Sequence, residues 1–255
     1  MSAKAEIRQE RLLYLLSPIG LLLLWEIAIR AGLGDRRFVP APSDIAERFY
    51  LLTISGELPW HVLVTMWRIV AGYLIGVIPG VALGLLMAMS RGVRITVDPL
   101  VAALFAIPKV ALMPLILLAF GFGEASKIVV VAIGAFFPVI VNSYAGAANI
   151  EKIYIDVARN YGASRYIMFT RVVFFGALPM IFSGLRVALA ISFIIGTAAE
   201  FVAAKSGIGY LIWTSWELLK VDAMFVGIVT IGLLGVITST VFLEVERVVI
   251  PWKWN

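Results

Sequence analysis

At 255 residues, 62% hydrophobic and only 15% charged, the chain is too apolar for a water-soluble domain, where about 45–50% apolar and about 25% charged is usual. It reads as an all-α polytopic membrane protein. The absence of cysteine excludes a disulfide framework, a thiolate zinc site and a cysteine nucleophile. The formal charge of +5 fits basic loops against an anionic membrane face rather than nucleic acid.

A bilayer core takes about 20 residues of helix. The uncharged runs predict six transmembrane helices, near 12–29, 65–89, 99–122, 127–148, 172–199 and 223–248. The first lacks a small-residue cleavage site and is followed by Glu26, Arg30 and Arg36, so it is read as a retained helix. After it comes Pro40-Ala41-Pro42-Ser43-Asp44. Asp44 with Glu47 three residues later is a helix-start signal, predicting a short amphipathic helix over Ile45–Leu52 on the outer interface. This divides the chain into an N-terminal part, 1–60, and a core, 61–250.

The second helix begins beside Trp60, His61 and Arg68, read as interfacial residues. It carries Gly72, Gly76, Gly80 and Gly84, one glycine every fourth position. That spacing puts them on one face and lets another backbone approach closely; lining a conduit is the other reading. Pro79 predicts a kink.

The third helix is interrupted by Pro108 and Pro114, with Lys109 between them. A central lysine costs about 3 kcal/mol of insertion, and the thirteen Leu, Ile, Val and Phe of 99–123 outweigh it at about 0.3–0.6 kcal/mol each. A cation at a broken helix reads either as part of an anion path or as a lysine reaching for headgroups.

On the fifth helix Arg186 and Glu200 are fourteen residues apart, about 21 Å along a helix, too far to pair. Glu200 is expected at the outer rim.

With the N-terminus inside, inner segments hold Lys4, Arg8, Arg11, Arg91, Arg94, Lys152, Arg159, Arg165, Arg171, Arg247 and Lys253. Outer segments hold Arg30, Arg36, Arg37, Arg48, Lys127, Lys205 and Lys220. Eleven against seven puts both termini in the cytoplasm. One histidine and no cysteine leave no metal cluster and no Cys/His pair. No G-x-x-x-x-G-K-[ST] loop is present to hold ATP. Catalysis by this chain is not expected.

The inner loop 149–171 is longer than a plain connection and mixes apolar with basic positions. It predicts a short helix ending at Gly162 that exposes Ile155, Val157, Ala158 and Tyr161 as a partner site.

Asp156-Val157-Ala158-x-x-x-Gly162 resembles the "Glu-Ala-Ala, three residues, Gly" loop of binding-protein-dependent ATP-binding-cassette (ABC) importer permeases. Gly176-Ala177-Leu178-Pro179 is similar to the segment after that loop in the subfamily importing taurine, aliphatic sulfonates, nitrate or bicarbonate. Also similar to that subfamily are Pro108-x-x-Ala111-Leu112-x-Pro114-Leu115, Phe120-Gly121-x-Gly123-Glu124-x-Ser126-Lys127, Phe137-Pro138-x-x-x-Asn142, and Ala199-Glu200 with Gly207-Ile208-Gly209-Tyr210. The departures are Asp156 for Glu, Val157 for Ala, and Phe174-Phe175 where the family often has Leu-Pro.

The resemblance implies a type I importer permease in a bacterial inner membrane that hydrolyses no nucleotide and holds no cofactor. Its expected partners are a second permease copy, as a homodimer, and two cytoplasmic ATPase subunits that bind ATP and magnesium. An extracytoplasmic substrate-binding protein would meet 40–60 and 201–222. ATPase coupling is expected at Tyr154, Ile155, Asp156, Val157, Ala158, Tyr161, Gly162 and Ala163, within a 154–164 loop helix. Pro108, Lys109, Asn142 and Glu200 are the candidate pathway residues. The expected cargo is a small anion such as a sulfonate, nitrate or bicarbonate. The alternatives are a neutral or cationic vitamin precursor, or an ion-coupled secondary carrier.

Overall fold

In the computed structural model, residues 3–254 are described, with the side chains of 16–202 and 204–254. Every regular element among the described residues is helical. In order come α1 (Ala3–Arg30), α2 (Pro42–Ile54), α3 (Glu57–Met89) and α4 (Arg91–Ala106). A 3-10 turn, Lys109–Leu112, leads into α5 (Met113–Phe120), then α6 (Glu124–Ala148) and α7 (Lys152–Asn160). Then α8 (Arg165–Ile167) passes through a π-turn, Met168–Val173, into α9 (Phe174–Ala203), followed by α10 (Ile208–Glu217), α11 (Val221–Val249) and a last 3-10 turn, Pro251–Lys253.

Among the described residues, four stretches are long and apolar enough to cross a membrane: Glu57–Met89, Glu124–Ala148, Arg165–Val202 and Val221–Val249. A fifth is present if Arg91–Ala106 and Lys109–Phe120 form one broken span. The expected first span falls in α1, which has Pro18 inside it; Lys4, Arg8 and Arg11 lie outside the described side chains.

The third span is not the single interrupted helix expected near 99–122. Its two arms meet at 92°. Pro108 has no N–H to donate and pushes Ile107 out of the helical region. Ile107 and Pro108 are accordingly both extended, at ψ 127 and 116. The bend strands carbonyls at the end of α4, and Lys109 takes them. Its Nζ donates to the carbonyls of Leu104, Phe105 and Ile107 at 2.9, 2.9 and 2.6 Å. Lys127 does the same after α5, donating to Phe122 and Gly123 at 2.6 and 3.0 Å. A cation at a helix C-terminus also meets the negative end of the dipole.

The chain divides into two compact units, Met1–Trp60 with Leu211–Thr230, and His61–Tyr210 with Ile231–Asn255. In the first, α2 begins at Pro42 with Ala41 as its N-cap. Asp44 is therefore not the cap but lies inside the first turn, accepting the Ala41 N–H at 3.3 Å. Proline at the first helical position loses nothing, because that N–H has no partner anyway. Glu26 accepts both the N–H and the hydroxyl of Ser43, at 3.0 and 2.8 Å. Trp25 packs on Phe225 at 5.8 Å, and Arg48 lies 3.5 Å from Asp222.

In the second unit α6 is the central helix. Val130, Val131, Ala135, Val139 and Ile140 are fully buried along it. Gly72, Gly76, Gly80 and Gly84 of α3 turn to α6. A Cβ on Gly72 would come within 2.7 Å of the Ile128 carbonyl, and one on Gly84 within 2.6 Å of the Ile140 carbonyl. The two backbones are in contact along this seam, and any larger side chain would wedge them apart.

Candidate functional site

The segment after α6 builds the first candidate site. α7 ends in a Schellman motif: Ala163 N–H donates to Ala158 O at 3.0 Å and Gly162 N–H to Arg159 O at 2.9 Å. That closure requires a left-handed residue, and Gly162 has φ +73. The chain is then captured again by Ser164, whose hydroxyl accepts the Ile167 N–H at 3.3 Å. The result is a nine-residue helix, shorter than the about 12–15 residues that hold themselves together in water.

No residue of α7 is buried. Its exposed apolar side chains are Ile153, Tyr154 and Val157, with Tyr161 at 88% exposure just beyond. Of the four residues expected to be exposed, Val157 and Tyr161 are, while Ile155 and Ala158 are half-buried. The helical spacing turns that face back towards the chain, and the helix covers Lys152–Asn160 rather than 154–164. Beside it lies an open apolar groove of about 690 Å³, lined by Ile150, Tyr154, Val157, Phe175 and Trp252 among others.

The other end of α6 carries a buried polar cluster that no sequence pattern assembled. Arg68, placed at the interface from sequence, is 2% exposed. Its guanidinium grips Glu124 in a fork, Nε and Nη2 each donating at 2.6 Å. Nη1 donates to Glu200 at 2.7 Å and to the Ser206 carbonyl at 2.6 Å. Glu200 therefore does not stand at an open rim; it is 1% exposed. It also accepts the Thr65 hydroxyl at 2.9 Å and the Gly209 N–H at 2.8 Å.

Thr65 in turn accepts the Ile208 N–H at 2.7 Å, and His61 Nδ1 accepts the Gly207 N–H at 2.9 Å. The lone histidine is thus 7% exposed and holds a turn, not a headgroup. Gly207 sits at φ +113 with the Glu200 carboxylate against it, leaving no room for a Cβ. The cluster clamps the turn after α9 onto α3 and α6.

The four pathway candidates do not converge. Lys109 is 9% exposed, all three of its donors are committed to carbonyls, and its Nζ lies 4.8 Å from the Phe137 ring. Neither expectation for it holds: it caps a broken helix, with no donor left for an anion or a headgroup. Pro108 makes that break. Asn142 donates back to the Pro138 carbonyl at 2.8 Å and lies eighteen residues from Glu124, about 27 Å along α6. Glu200 belongs to the cluster.

Residues Arg68, Thr65, His61 and Lys127 were missed as structural elements. A usable signal existed: each is polar within or beside an apolar run, and a buried charge needs a partner. Among the described residues no group of three or more His, Cys, Asp or Glu is placed to hold a metal.

Residues 80–249 match the model of the family described as "Binding-protein-dependent transport system inner membrane component". The chain is 36% identical over 236 residues to the putative aliphatic sulfonates transport permease protein SsuC of Escherichia coli, covering 92% of this chain and 90% of that one. It is 31% identical over 239 residues to the taurine transport system permease protein TauC of the same organism, with 91% and 86% covered. Among solved structures, an inward-facing form of the MetNI methionine ABC transporter aligns with a TM-score of 0.65 at 17% identity, covering 74% of this chain and 94% of that chain.

Proposed function

The chain belongs to the family of binding-protein-dependent transport system inner membrane components, and from that premise we propose that it forms the passage for a small sulfonate-type anion in an ATP-driven importer. It is a multi-pass inner-membrane permease with the fold of type I importer permeases. Work in such a system requires an ATPase and a substrate-binding protein. The sulfonate and taurine permeases it resembles favour an organosulfonate over a neutral vitamin precursor or an ion-coupled mechanism.

In this reading α7 lies in the cytoplasm and is the handle by which the ATPase subunits move the membrane part. The observation that carries it is the amphipathic helix Lys152–Asn160, none of whose residues is buried, closed at Gly162, on a chain with no phosphate-binding loop of its own. A nine-residue helix with nothing buried is a surface awaiting a partner. ATP and magnesium belong to that partner, and this chain contributes no catalytic group. Two copies of the chain would enclose the passage, with a binding protein delivering cargo at the opposite face. Nucleotide then biases a two-state membrane unit through contacts that differ between its states.

The test is ATP-driven uptake in vesicles holding this chain with its ATPase and binding protein, using radiolabelled taurine and ethanesulfonate. Gly162→Val places a β-branched residue at φ +73, straining the turn by about 1–2 kcal/mol. An added Cβ meets nothing within 4 Å, so insertion should be normal while uptake and cargo-stimulated ATP hydrolysis fall together. Normal uptake in that variant would remove α7 from the mechanism.

A further inference from the structure

Arg186 of α9 has no part in either site described above. It lies near the middle of the apolar stretch Arg165–Val202. Its guanidinium donates to Glu246 of α11, and Lys253 of the last turn donates to the other oxygen of the same carboxylate at 2.7 Å. Glu246 is fully buried, whereas the Arg186 and Lys253 side chains are 42% and 39% exposed. One buried acid thus serves two half-exposed cations, leaving one positive charge in excess. The neighbouring acid on α11 does not supply it: Glu244 is bound by Arg247 at 2.7 Å. The Arg186 Nε–H is buried with no hydrogen-bond partner.

A half-exposed guanidinium within a membrane span is unfavourable against hydrocarbon, so such groups face a water-filled cavity or the bundle interior. The exposed residues of α9 flanking it, Ser183, Val187 and Ala190, all have shorter side chains than arginine. A guanidinium matches the geometry of a three-oxygen anion, offering donors in a fixed plane.

We propose that Arg186 is the anion-contact residue of the passage, held from behind by Glu246 and presenting its free donors to a sulfonate group in transit. The inference rests on the anion-importer reading and names the residue that does the recognising.

The experiment uses the complete assembly in vesicles. Uptake of radiolabelled taurine and ethanesulfonate is followed over a concentration series, with binding-protein-stimulated ATP hydrolysis recorded alongside. Arg186→Gln should lower uptake by about tenfold or more, the loss of one charge-assisted hydrogen bond to the anion. ATP hydrolysis should stay near the parent's level, and Arg186→Lys should recover part of the uptake. Unchanged uptake in Arg186→Gln overturns the proposal. So does an equal loss of uptake and hydrolysis in both variants, the mark of a structural strut.

Where Arg186→Gln does not assemble, the exchange of Arg186→Glu with Glu246→Arg decides. Made together with Lys253→Glu, so that both ion pairs to position 246 survive, it moves the positive charge off α9, and assembly without uptake supports the proposal. Restored uptake, or failure of the exchange to assemble, overturns it. A parent assembly that moves neither anion defeats the importer reading and this inference with it, and is told apart because the parent itself is silent.

Discussion

At the Glu124 end of α6, Arg68 is spread over two carboxylates and a carbonyl, Thr65 both donates and accepts, and Glu200 receives three separate donors. At the Ala148 end the chain makes α7, which buries nothing and leaves Ile153 and Tyr154 about 60% exposed. One end of the helix has satisfied its polar groups internally; the other has left apolar groups uncovered. Within one bundle, the first arrangement describes a joint meant not to open. The second describes a surface completed only by another molecule. Substitutions at the first should therefore be read in stability and those at the second in coupling.

The largest stability effect should come from Arg68→Leu. Removing the cation leaves Glu200 buried against Thr65 and Gly209 without its ion-pair partner, and breaking a buried pair in this way costs about 3–5 kcal/mol. Unfolding in bicelles should show that loss. Arg68→Lys should retain part of the stability, since it keeps the charge and loses the fork to Glu124. A neutral result for Arg68→Leu would mean that the cluster does not hold the turn after α9.

Next is Gly84→Val on the α3–α6 seam. A Cβ there lies 2.6 Å from the Ile140 carbonyl and 2.7 Å from Ser143 Cβ. Neither atom belongs to a flexible end, so the helices must separate. Overpacking of this kind costs about 1–3 kcal/mol, measurable in the same unfolding assay. A smaller loss than that of Arg68→Leu would support the view that the polar joint, not the glycine seam, is the stronger fastening.

The parts of this comparison were unequally readable in the sequence. α3, α6, α9 and α11 stand out as apolar runs because hydropathy is a property of consecutive residues. The glycine seam and Gly162 are legible for the same reason: spacing and turn chemistry are local. The polar joint is not local. Arg68 and Glu124 are 56 residues apart, and Arg68 and Glu200 are 132 apart, so no pattern in either neighbourhood announces the other. The sequence did offer four charges, Arg68, Glu124, Lys127 and Glu200, in or beside apolar segments. Reading Arg68 as interfacial, Glu200 as a rim residue and Lys127 as an outer-segment cation concealed that they needed partners. The bend after α4 was half legible: Pro108 marks the break, but its 92° angle depends on the extended pair Ile107–Pro108 and on the lysine that accommodates the freed carbonyls. The face of α7 was misjudged because the direction in which a short amphipathic helix lies depends on what it rests against.

The smallest stability effect and the sharpest contrast belong to α7. Tyr154→Ser with Tyr161→Ser removes two aromatic rings that are 60% and 88% exposed. Surface changes of this sort usually shift stability by no more than about 0.5 kcal/mol each, so the unfolding curve should overlay that of the parent. Uptake is a different matter, because exposed aromatic rings are the side chains that most often anchor a partner in an interface. If α7 is the handle, uptake and cargo-stimulated ATP hydrolysis should be lost together in an assembly whose membrane part is as stable as before. A variant that transports normally would show α7 to be an ordinary solvated connection, leaving the bundle without a visible point at which ATP could act on it. A variant that unfolds early would show instead that the tyrosines support their own bundle, and the division between a closed end and an open end would collapse.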